Sequence, residues 1–237
     1  MDNINFALAT HTGLVRELNE DNFLALPECG LWVIADGMGG YEAGEIASEL
    51  AVLTMTRTIK QNMSLVAAIE TAHRAIQSAA LQGEGAADMG TTIVVAKLDG
   101  LHYEIAWVGD SRAYLWNGCL QQLTKDHLLA QLLLAADLIT ESEMATHPSR
   151  NIISQALGTG SVTGKTLKID TVLGDLGDKD ILLLCSDGLN TLVSDNDIAA
   201  ILSEPTSNQT KVDKLIDAAL TAGGTDNVTV IVITPTI

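Results

Sequence analysis

Basic residues are scarce in this chain of 237: 13 Lys and Arg stand against 30 Asp and Glu, a formal net charge of −17. Nucleic acids and anionic membranes are bound through basic surfaces, so neither is an expected partner. Cysteine is scarcer still. Cys29, Cys119 and Cys185 are odd in number and unrelated in spacing, which argues against a disulfide framework or a zinc site; Cys185 sits in an apolar run and reads as packed core. No stretch approaches the ~18 uninterrupted apolar residues of a membrane span. The first residues, Met1 to Asn5, lack the basic and apolar regions of a signal peptide. Long linkers and internal repeats are also missing. With 47% hydrophobic residues, the expectation is one soluble, cytoplasmic domain spanning 1–237.

What the chain does have is acids placed where apolar runs stop. Trp32 to Ala35 ends at Asp36-Gly37, and Ile181 to Ser186 ends at Asp187-Gly188. Asp110 follows the strand-like run Tyr103 to Val108, Asp226 precedes Val228 to Ile233, and Asn19-Glu20-Asp21 forms an early cluster. A like-charge pair at about 4 Å costs on the order of 4 kcal/mol at an effective dielectric near 20. A domain stable by about 5–15 kcal/mol cannot carry several such pairs. Either the acids are dispersed in the fold or divalent cations neutralise them. Oxygen ligands without a His or Cys cluster point to hard cations such as Mg²⁺ or Mn²⁺. The glycines beside Asp36 and Asp187 allow close backbone approach to an ion.

Taken in order, Arg16…Asn19-Glu-Asp21, Ala35-Asp-Gly-Met-Gly-Gly40, Met89-Gly-Thr-Thr92, Val108-Gly-Asp-Ser-Arg112, Ser186-Asp-Gly-Leu189 and Gly224-Thr-Asp-Asn-Val-Thr229 resemble the metal-dependent protein serine/threonine phosphatases, the PPM or type 2C family, of bacterial single-domain type. One such motif is common turn chemistry; six in order, from about Thr10 to Ile233, are specific. The resemblance implies an α+β fold, a four-layer αββα sandwich of two antiparallel sheets flanked by helices, with two Mn²⁺ or Mg²⁺ ions at one end. It implies that Asp36 bridges the ions, that the Gly37 carbonyl binds one, and that Asp187 and Asp226 bind the other. Glu20 and Asp21 fill the family's N-terminal acidic positions, with Asp21 in direct or water-mediated coordination. Asp110 matches an acid that helps hold a third, weaker ion. Arg16 matches the arginine that binds the substrate phosphate. Asp36 and Asp187 would act catalytically through the water held between the metals, so no nucleophilic side chain is required.

Two positions depart from the family pattern: Tyr41 after the glycine-rich turn, and Leu128 after Asp126-His127. Neither is a presumed ligand, so they bear on substrate handling. Arg112 reads equally as an internal ion-pair partner or a substrate contact. Asp88 reads as a turn residue. His127 and His147 are the middle-segment histidines that could act as a general acid, although a lone histidine is more often structural.

The local patterns fit the sandwich. Hairpins are signalled by Asp99-Gly100 between Val94–Lys97 and Tyr103–Trp107, and by Asn117-Gly118 between Tyr114–Trp116 and Leu120–Leu123. Helices are read at Glu45–Lys60, Ser64–Leu81, Leu128–Ala136 and about Lys211–Thr221. Thr140-Glu-Ser-Glu143 carries a capping signal. Following the family, a flap that influences substrate choice is expected within 138–164.

The expected function is metal-dependent hydrolysis of phosphoserine and phosphothreonine in proteins by a monomer, as the counterpart of a Ser/Thr kinase. The acidic surface suits basic phosphopeptides, and equally suits solubility. The alternatives are a phosphatase of a small phosphorylated metabolite and a non-catalytic, phosphatase-like regulatory binding module.

Overall fold

A computed structural model describes residues 4–39, 43–144, 146–159 and 166–236. Gly40 and Tyr41 of the glycine-rich turn, and residues 145 and 160–164 of the expected flap, lie outside the described residues.

One sheet contains β1 (Ile4–His11), β7 (Arg112–Trp116), β8 (Leu120–Gln122), β10 (Ile181–Cys185) and β11 (Val228–Pro235), in the order β1-β11-β10-β7-β8. The other contains β2 (Asp21–Leu26), β3 (Leu31–Met38), β5 (Ile93–Asp99), β6 (His102–Val108) and β9 (Asp170–Asp175), in the order β2-β3-β5-β6-β9. A two-residue strand, β4 (Gly90–Thr91), pairs with the far end of β3. Neighbours in both sheets run antiparallel.

The helices α1 (Ala43–Lys60) and α2 (Leu65–Gln82) cover the outer face of the second sheet. On the outer face of the first lie α6 (Asp195–Ser203) and α7 (Asn208–Thr221). Shorter pieces are α3 (Leu129–Ala135), α4 (Glu141–Met144) and α5 (Asp187–Asn190). The result is the expected αββα sandwich.

Three apolar layers hold it together. Between the sheets lie Trp32, Ile34, Ile105, Leu182, Leu184 and Ile231. Val33, Ala35 and Val95 pack on Ala47, Met55 and Ile69, and Leu183, Val230 and Val232 pack on Ile198, Val212 and Leu215. Leu31 to Ala35 are all buried, because β3 has a sheet on one side and helices on the other; this is why it reads as an unbroken apolar run rather than an alternating one. Each fully buried Leu, Ile or Val contributes about 1.5–3 kcal/mol.

Local signals act as read, with shifted edges. Both hairpins form, with Gly100 and Gly118 at φ 61° and 101°. Ser64 caps α2, and Gly83 ends it in the left-handed conformation. At α4 the capping box is reciprocal: Thr140 N–H donates to Glu143 Oε2 (2.8 Å) and Glu143 N–H to Thr140 Oγ1 (3.3 Å). Helix α7 starts three residues before Lys211, capped by Ser207. The polar start Asn208-Gln-Thr210 masks its first turn, although Lys211 itself is buried and donates to the Leu202 carbonyl (2.7 Å). Helix α6 was not anticipated, yet Ser194 three residues before Asp197 is its start signal, and Ser194 Oγ accepts from Asp197 N–H.

Candidate metal centre

The strand register brings the acids to one end of the sandwich. Asp21 and Asp36 are cross-strand partners on β2 and β3. On the other sheet, Cys185 pairs with Val230, so Asp187 and Asp226 lie just past the paired ends of β10 and β11. Asp110 follows β6, in the connection to β7.

Hydroxyls tie the two sheets together here. Asp21 Oδ2 accepts from Ser186 Oγ (2.7 Å), just past β10, and Thr229 Oγ1 (2.6 Å), on β11 of the opposite sheet. The Asp36 backbone is held by the Met-Gly-Thr-Thr segment: its carbonyl accepts from Thr92 N–H (2.8 Å) and Thr91 Oγ1 (2.9 Å). Thr92 Oγ1 also shares a hydrogen bond with Ser111 Oγ (2.7 Å), next to Asp110. Asn227 clips the Arg16 loop in place, donating to the carbonyls of Thr12 and Leu18 and accepting from Glu20 N–H, each at 2.8 Å. Ser186, Thr229 and Asn227 received no role from the sequence; their only signal was adjacency to the acids.

Burial and mutual repulsion push the carboxyls upward. Asp21 is raised to about 7, first by burial and then by Asp187 and Asp226, against the two hydroxyls that favour its charged form. Asp110 is raised to about 8 by burial, Asp187 and Asp126. Asp187 is raised to about 6 by burial and Asp226, with a hydrogen bond from Asp36 opposing. Asp36 lies well above the ordinary carboxylate range, through burial and the charges of Asp21, Asp187, Asp110 and Asp226. These four neighbours and Asp36 therefore share one electrostatic cluster.

The donor chemistry fits divalent cations. Asp21 Oδ1 and Asp110 Oδ1 are buried without a hydrogen-bond partner, and such orphaned oxygens are costly unless a cation or proton satisfies them. Among the described residues no three His, Cys, Asp or Glu side chains stand close enough to hold an ion as they are placed. One contact accounts for part of this: Arg16 Nη2 holds Asp226 Oδ2 at 2.7 Å.

The other predicted residues have definite surroundings. Gly37 has no room for a side chain, since a Cβ there would lie 2.1 Å from the Gly44 carbonyl oxygen. Its N–H donates to the Glu20 carbonyl (3.2 Å). The half-buried Glu20 carboxyl packs against Gly44 at the start of α1, a favourable place for an acid, while burial raises its pKa. Arg112 is an internal partner: Nε and Nη2 grip Asp126 at 2.7–3.1 Å, and Nη1 donates to Tyr114 Oη (2.8 Å). Asp88 is exposed, and His147 Nδ1 accepts from Ser149 N–H. A cavity of about 340 Å³ opens beside the acids, lined by Asp110, Asp187, Asn190 and, from within 138–164, Met144, Arg150 and Asn151.

This sandwich, with carboxyls converging from both sheets, is the arrangement of a metal-dependent phosphatase domain. The description "Protein phosphatase 2C" matches residues 14–222, and the chain belongs to that family. It is 39% identical to the serine/threonine phosphatase stp of Listeria welshimeri, over 94% of this chain and 93% of that protein. It is 38% identical to the serine/threonine protein phosphatase PstP of Mycobacterium tuberculosis, over 97% of this chain and 44% of that longer protein. The crystal structure of M. tuberculosis PstP superposes with a TM-score of 0.88 at 34% identity, covering 99% of this chain and 100% of that one. A PstP catalytic domain in complex with two manganese ions gives 0.85 at 33%, covering 99% of each chain.

Proposed function

We propose that this protein hydrolyses phosphoserine and phosphothreonine monoesters in proteins, acting in the cytoplasm as a monomer that opposes a Ser/Thr kinase in signalling. Asp36, the Gly37 carbonyl, Asp187 and Asp226 would hold two Mn²⁺ or Mg²⁺ ions, with Asp21 and Glu20 at the N-terminal edge and Asp110 toward a third. Bound there, such a pair neutralises phosphoryl oxygens and lowers the pKa of a water. The observation that carries the reading is the cluster of raised carboxyls, two of which keep a buried oxygen without a partner.

The chain's own residues do the rest. Ser186 and Thr229 fix Asp21 by Oδ2 and leave the buried Oδ1 without a partner. Asn227 holds the Arg16 loop, and Arg16 can exchange Asp226 for the substrate phosphate, which its planar guanidinium can grip with two charge-assisted hydrogen bonds. Parts of 138–164 wall the cavity beside Asp187, which supports a flap role in substrate choice.

A panel of phosphopeptides and a panel of phosphorylated metabolites, each with Mn²⁺ and with chelator, tests this. Peptide hydrolysis that needs Mn²⁺ is the expected result. Turnover confined to metabolites would replace the substrate class, and inert behaviour toward both would favour a binding module.

A further inference from the structure

His127 occupies a position that none of the metal-site roles explains. It lies between the Asp110 loop and the returning arm of the segment that walls the cavity. Its backbone N–H donates to the Gly109 carbonyl (2.9 Å), and its ring Nδ1 accepts from the Gly109 N–H (3.1 Å). Both polar groups of one peptide-linked glycine are thus gripped by a single residue. Only glycine fits here: the φ of Gly109 is 105°, and a Cβ there would meet the Thr92 side chain at 2.6 Å. The clamp therefore fixes the backbone from which the buried Asp110 projects.

The ring itself is held from several sides. Nε2 is 3.0 Å from Asp170 Oδ2 on β9, Nδ1 is also 2.8 Å from Gln155 Nε2, and Trp107 stacks on the ring with centroids 6.3 Å apart. The network assigns the neutral tautomer with the proton on Nε2. The His127 carbonyl in turn accepts from Ser154 N–H (2.7 Å), while Leu128 bridges Ile153. Arg150 and Asn151, on the cavity wall, are three to four residues away from that anchor.

We infer that His127 is a positioning residue for Asp110, holding that acid in register for a cation and joining its loop to the arm that walls the cavity. This rests on the proposed metal reading. Residues that orient a metal ligand without touching the metal are typically worth roughly 10–100-fold in affinity. Two isosteres separate the ring's functions. Asn places an acceptor where Nδ1 sits, and Gln reaches only the Nε2 position.

The test is calorimetric Mn²⁺ titration of the wild-type chain, His127→Gln, His127→Asn, Asp110→Asn and the His127→Gln/Asp110→Asn double variant. We expect His127→Gln to weaken the site that Asp110→Asn weakens, by roughly 10-fold or more. His127→Asn should stay within about threefold of wild type, and His127→Gln should add nothing on the Asp110→Asn background. Wild-type affinity in His127→Gln, equal damage from Asn and Gln, or multiplying effects in the double variant would each overturn the inference while leaving the metal reading intact. A wild-type chain that binds no Mn²⁺ would sink both. Amide hydrogen exchange gives a check without mutation: Gly109 N–H should be protected in the wild-type protein, and fast exchange there would contradict the clamp.

Discussion

Asp36 has a partner acid across the strand, Asp21, and Asp187, past the end of β10, adds to the charge around it. Its environment opposes its own charge, so the carboxylate costs stability unless the proposed cation offsets it. Asp36→Asn should cut Mn²⁺-dependent phosphopeptide hydrolysis by at least about 10²–10³-fold, the loss typical when a charge-stabilising group is removed. In chelator at pH 8 the same variant should melt above the wild type; a lower melting temperature would mean that the carboxylate stabilises the fold. Arg112 predicts the opposite signature. Its fork grips the buried Asp126, so Arg112→Ala leaves an uncompensated charge and should cost about 3 kcal/mol or more in denaturant titration. A change in KM at unchanged stability would instead make it a substrate contact.

At the scale of elements, the site is a seam between two sheets, and its stitches are hydroxyls. Thr229 and Ser186 reach Asp21 across 208 and 165 residues of sequence. Thr229→Val keeps the shape, removes this stitch together with the Thr229 hydroxyl's bond to Thr10 Oγ1 (2.8 Å), and should destabilise by about 1–3 kcal/mol; an unchanged denaturation midpoint would show that Ser186 alone suffices. The acids were legible because each stands where an apolar run stops and a glycine or turn follows, a local pattern. The stitches were not, because nothing near Thr229 in sequence says which strand will face it. Strand β9 was missed for a related reason: Asp170–Asp175 is a polar edge strand whose Leu173 points to solvent, at 74% exposure, so its pattern is weak. The Arg112 question was settled by Asp126, fourteen residues away on a loop whose path the sequence did not reveal.

For the whole molecule, the raised acids dictate how stability depends on pH. Asp187, Asp21 and Asp110, at about 6, 7 and 8, and Asp36 hold protons in the folded state that unfolded carboxyls, near 3.8, release. Their contribution is complete below about pH 4 and is lost as pH rises through those values. His73 and His127, lowered from 6.5 by burial, oppose this just below pH 6.5, but they are two groups against five, since Glu20 is raised as well. In chelator the melting temperature should therefore fall between pH 4.5 and 8, and added Mn²⁺ should raise it most at the alkaline end; a steady rise with pH in chelator would contradict the cluster. The sharpest test of that cluster is an anomalous difference map at the manganese edge, from crystals grown with Mn²⁺. Two peaks about 3.5–4 Å apart, with Asp36 between them and Asp187 and Asp226 at one, are predicted. Peaks confined to other carboxylates, with none at Asp36, would contradict the account.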